Sequence, residues 1–142
     1  MALSDNAKAT IAYSGALAVV MAYDFASVQA NAAAWGPAIE ALPALGPLLI
    51  QMNDLSAFVI LPVFVLLIGL AVLWVWQGNS TGYTLALVLA VIAIVLNVIF
   101  GIGLATGGFV LAAGICAVNI VLGALAANAA YQGQSEPAMA AG

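Results

Sequence analysis

Four long apolar runs, at residues 9–30, 55–76, 83–104 and 108–130, set the pattern of this chain. Crossing the hydrocarbon core of a bilayer takes roughly 20 apolar residues. At about 1.5 Å per residue, each run makes a helix about 33 Å long, enough to cross with modest tilt. The pattern predicts an all-α integral membrane protein in which four transmembrane helices form a single bundle across residues 1–142. A proline-containing interfacial segment is expected between the first and second spans. A cleaved secretory signal is the weaker reading of the first run, because such signals have a shorter apolar core of about 7–15 residues.

The breaks between runs carry their own signals. Ser4 or Asp5 suits the cap of the first helix, with acid at its positive dipole end. Residues 31–54 hold Pro37, Pro43 and Pro47 but stay apolar at Ile39, Leu42, Leu45 and Leu49. Prolines exclude one long regular helix there, and the apolar spacing suits short helical turns lying in the interface plane. A re-entrant segment is the sharper, less favoured alternative. Pro62 either marks a later true start of the second span or kinks it. Trp35, Trp74, Trp76 and Tyr83 are expected at headgroup depth as interfacial anchors. Residues 77–82 read as a polar turn. Its Asn79-Ser80-Thr81 glycosylation pattern is discounted because the loop is short and close to the membrane. Residues 105–107 read as the tight turn of a helical hairpin, so the third and fourth spans should be antiparallel neighbours. Residues 131–142 are expected to form a flexible tail.

Two small-residue stripes predict close helix packing. Ser14, Ala18, Ala22, Ala26 and Ala30 recur every four residues in the first span. In the fourth, Ala112, Cys116, Asn119, Gly123, Ala126 and Ala130 alternate by three and four. Small faces of this kind let membrane helices approach closely.

Composition agrees with a lipid environment. The chain is 67% hydrophobic and 4% charged, with one basic residue and no His; soluble domains carry about 25% charged residues. A basic patch for nucleic acid is absent, as is the polybasic segment that reads anionic lipids. The acid-rich balance fits a halophilic source, although six charges argue little. Lys8 places the N-terminus in the cytoplasm by the positive-inside rule, and four spans return the C-terminus to the same side.

Candidate chemistry is sparse. Asp24 lies near the outer end of the first span, and carboxylates within membranes often mark ion or proton paths. The headgroup zone is the blander placement. Asn97 and Asn119 are mid-span amides; a fold about Thr106 separates their depths by roughly five residues, ~8 Å, too far for a direct bond. Without His, the commonest metal ligand and general base is missing. Cys116 should behave as a small apolar residue. No cofactor, metal or catalytic residue is expected. A cation site joining Asp24, Glu40 and Asp54 is a minor alternative.

These features point to a non-enzymatic structural or accessory subunit of a membrane assembly. Its partners would be the lipid bilayer together with further copies of itself or a larger complex, in a cell or in a lipid-containing virion. A small ion or proton channel or transporter using Asp24, Asn97 and Asn119 is the alternative.

Overall fold

The structure, a computed structural model, describes residues 2–30, 44, 46–55 and 59–136. Among the described residues it is all-helical, with five helices. They are α1 (Asp5–Ala30), α2 (Gly46–Leu55), α3 (Leu61–Trp76), α4 (Thr81–Thr106) and α5 (Val110–Ser135). Two of them, α4 and α5, are each 26 residues long and apolar enough to cross a membrane.

Helix boundaries follow local chemistry. The Ser4 hydroxyl accepts the Ala7 backbone N–H at 3.1 Å and so caps α1, satisfying one of the donors that a helix start leaves orphaned. α2 carries Pro47 in its first turn, where a missing N–H costs nothing. α3 likewise carries Pro62 in its first turn, with no side-chain cap on Ile60. The second apolar run is therefore a shorter helix than expected. Leu55 closes α2, and the 16 residues of α3 rise about 24 Å. Val59 and Ile60 form a π-helical turn that runs into α3, so Pro62 stands inside the helical stretch rather than at its first residue.

The turn between α3 and α4 is closed by Gly78 at φ 75°, a conformation that favours glycine. The Gln77, Gly78 and Asn79 N–H groups return to the Leu73, Val75 and Trp74 carbonyls. Asn79 Oδ1 then accepts the Thr81 N–H at 3.0 Å and opens α4. The turn between α4 and α5 is centred on Gly108, at φ 86°.

α5 packs most extensively on α4 and next on α1; α3 packs on α4 and on α1, while α1 and α4 approach each other only slightly. Side-chain contacts fix the directions. Ser4 Oγ and Asn6 Nδ2 donate to the two oxygens of Glu136 at 2.9 and 2.7 Å, so the start of α1 meets the end of α5. Gln134 Nε2 donates to Thr84 Oγ1 at 2.9 Å, so the start of α4 lies at that same end. The α4–α5 turn is at the opposite end. Residues 131–135 thus belong to α5 rather than to a flexible tail, and Glu136 is tied to α1. Residues 137–142 lie outside the described residues.

The interior is built from small residues. Ala71, Ala93, Ala126 and Ala130 are fully buried, around Leu17, Phe64, Ile68, Val75 and Leu89. Large apolar residues sit outside instead: Leu66, Val110 and Leu111 are more than 70% exposed.

Candidate polar site

The α4–α5 hairpin brings two amides together. Asn97 lies eleven residues before Gly108, and Asn119 lies eleven after it. Two antiparallel helices rise equally from their turn, so the two residues stand at the same depth. Asn119 Nδ2 donates to Asn97 Oδ1 at 3.1 Å. The expected ~8 Å offset does not occur, because the turn is centred on Gly108 rather than Thr106. The same register holds further down the hairpin. Tyr83 and Gly133 are each twenty-five residues from Gly108, and a Cβ on Gly133 would clash with the Cδ1–Cε1 edge of the Tyr83 ring. That contact buries Tyr83, at 8% exposure. It is a packing residue rather than a surface anchor. Trp74 is half-buried and Trp76 is exposed, while Trp35 lies outside the described residues.

The amides are held in one orientation. Asn97 Nδ2 donates to the Ala93 carbonyl one turn back, at 2.8 Å. Flipping Asn97 would set its oxygen against that carbonyl. With Asn97 Oδ1 thus facing α5, only the nitrogen of Asn119 can meet it. This leaves Asn119 Oδ1 as the buried side-chain polar atom, among the described residues, that has no hydrogen-bond partner. Asn119 itself is wholly buried. A buried acceptor without a donor costs roughly 1–3 kcal/mol.

Asp24 stands near this level on α1. Counted eighteen residues along each helix from the Asn6–Glu136 contact, α1 reaches Asp24 and α5 reaches Val118, next to Asn119. The Asp24 carboxylate also lies close enough to Cys116 to act on its thiol electrostatically. Asp24 is half-buried. It ends a series, Ala7, Thr10, Ser14, Leu17, Met21 and Asp24, that alternates by three and four. The first four of these are buried and Met21 is partly so. The seam mirrors the one on α5, where Cys116, Asn119, Gly123, Ala126, Ala130 and Gly133 are buried and Ala112 is half-buried.

The stripe expected on α1 follows a different line. Ser14 is buried and Ala18 half-buried, but Ala22 and Ala26 are exposed; Ala30 is the last residue of α1. A spacing of four turns about 40° too far at each step. The stripe therefore rotates out of the interface, while a three-four alternation stays in it. Sequence reasoning missed Thr10, Leu17 and Gly133 as packing residues. The alternation itself was the signal that marked the first two.

Chemically, the site offers acceptor oxygens from Asp24 and Asn119 and no basic side chain. Lys8, the sole basic residue, pairs with Asp5 at 3.4 Å near the start of α1, far from Asp24. Glu40 lies outside the described residues. No group of three acidic, Cys or His side chains suited to a metal occurs among the described residues. Comparison of the chain with protein-family models, with curated proteins and with solved structures finds no match.

Proposed function

We propose that the chain is a multi-pass membrane protein in which α1, α3, α4 and α5 form an up-down-up-down four-helix bundle, and that it serves as a non-enzymatic subunit of a membrane assembly. The supporting observation is its inverted polarity. Val88, Val91, Val95, Ile99, Ile102 and Val121 on α4 and α5 are exposed, while Asn97 and Asn119 are buried between the same two helices. Water would oppose that arrangement and hydrocarbon favours it. The α5 small-residue seam is used within the chain, so a partner would meet the outward faces, such as that of α1 around Ala22 and Ala26. In this reading both termini and the α3–α4 turn lie on the cytoplasmic (or virion-interior) side, where Lys8 belongs.

Extraction from its native membrane in mild detergent tests the proposal. A fixed-stoichiometry assembly, with copies of itself or with another membrane protein, is expected by native mass spectrometry. Recovery only as a monodisperse monomer would overturn the subunit role. A second reading, an ion- or proton-conducting protein, is favoured by the unpaired Asn119 oxygen at the level of Asp24. The cleft between α1, α3 and α4, lined by Ser14, Leu17, Ile68 and Ala86, has no room for a water molecule, so conduction there would not use an open aqueous pore. Flux in liposomes, compared between the native chain and Asp24→Asn, tests that reading; equal flux in both removes Asp24.

A further inference from the structure

We propose that Asp24 and Asn119 form a proton-binding site in the interior of the bundle, with the neutral Asp24 carboxyl donating its proton to the Asn119 amide oxygen. It deepens the second reading above and rests on α1 and α5 crossing the bilayer. Three observations lead to it. Asn119 Oδ1 is buried, lacks a donor among the described residues, and cannot be relieved by an amide flip, because the Ala93 carbonyl holds Asn97 and Asn97 holds Asn119. Asp24 stands at the same level of the antiparallel α1–α5 pair, on the α1 seam that faces inward, and close to Cys116. Lys8, the chain's one basic residue, is sixteen residues away along α1, about 24 Å.

The chemistry then favours a proton over a metal ion. A carboxylate and an amide oxygen that lacks a donor among the described residues are reconciled by one proton, which converts the carboxylate to a donor and removes a charge that hydrocarbon disfavours. A bound metal cation would require several oxygen ligands beyond these two. Among the helices packed against α1, α5 carries Cys116 near this level and Tyr131 toward its far end, α4 carries Tyr83 at that same far end, and the α3 sequence contains no titratable group. Binding is reversible and breaks no bond other than O–H: the proton arrives from water and returns to it.

Infrared spectroscopy of the protein in lipid nanodiscs, titrated with pH, provides the test. At neutral pH the native protein should show a protonated-carboxyl C=O band that is lost in Asp24→Asn, whose amide keeps the shape and can donate to Asn119. In Asn119→Ala the band should shift to higher frequency, as expected for loss of its hydrogen bond. Absence of a band removed by Asp24→Asn would overturn the site, and so would a band of unchanged frequency in Asn119→Ala. A band that appears only when sodium and potassium are withdrawn would reassign the site to a metal cation. If the chain failed to enter nanodiscs at all, the membrane reading would fall instead, which separates the two failures.

Discussion

Removing each of the two paired amides should destabilise the hairpin unequally. At a pH high enough to ionise Asp24, so that it donates nothing to Asn119, Asn97→Ala breaks the bond to Asn119 and the bond to the Ala93 carbonyl, and leaves Asn119 buried with neither arm of its amide paired. Asn119→Ala breaks one bond, leaves Asn97 Oδ1 without its donor, and at the same time deletes the orphaned oxygen. Both substitutions remove the same atoms from buried sites, so packing losses largely cancel in the comparison. One more unsatisfied group distinguishes the first variant, which places it about 1–3 kcal/mol below the second. The direct coupling is smaller, since hydrogen bonds between membrane helices average about 0.6 kcal/mol and reach about 1.7. A double-mutant cycle on reversible unfolding in mixed micelles, run at that pH, measures both quantities. The account expects Asn97→Ala to be the more costly variant and the coupling to be favourable. Equal costs together with zero coupling would refute the reasoning, because the two amides would then act as independent space-fillers.

Three further outcomes are expected. Gly82→Ala should cost about 1–3 kcal/mol, because its Cβ would lie 2.6 Å from the Val75 backbone nitrogen at the tight α3–α4 crossing; Gly114→Ala, with nothing within 4 Å, should be neutral or stabilising in the same unfolding assay. Gly133→Ala should expel the Tyr83 ring and raise the exposure of Tyr83, read as a change in tyrosine fluorescence or ring NMR shifts. Glu136→Ala should release Ser4 and Asn6, cost about 1–2 kcal/mol, and speed amide exchange in the first turn of α1 while leaving the α4–α5 hairpin protected.

Much of the helical organisation was legible because each helix prints its length in apolar residues and its ends in turn chemistry. Ser4 and the runs that became α4 and α5 are examples. Details that depend on where a chain reverses were harder to read. Thr106 and Gly108 are two residues apart, yet a shift of the turn centre by two displaces the partner of every residue on the far helix by four. That is why the Asn97–Asn119 bond was not expected. On α1 the abundance of Ala hid the working seam, since Thr10 and Leu17 are not small and the four-residue Ala stripe competed for attention. Tyr83 looked like an interfacial aromatic because it follows a polar turn; the pocket that buries it is made by Gly133, fifty residues later.

The account rests most heavily on the placement of the hairpin across a bilayer. Single cysteines at Ser80, Ser135 and Thr106, each introduced into a Cys116→Ala background and probed in sealed vesicles with a membrane-impermeant thiol reagent, test it directly. Ser80→Cys and Ser135→Cys should be labelled from one side of the membrane and Thr106→Cys only from the other. Labelling of all three from the same side would contradict the account.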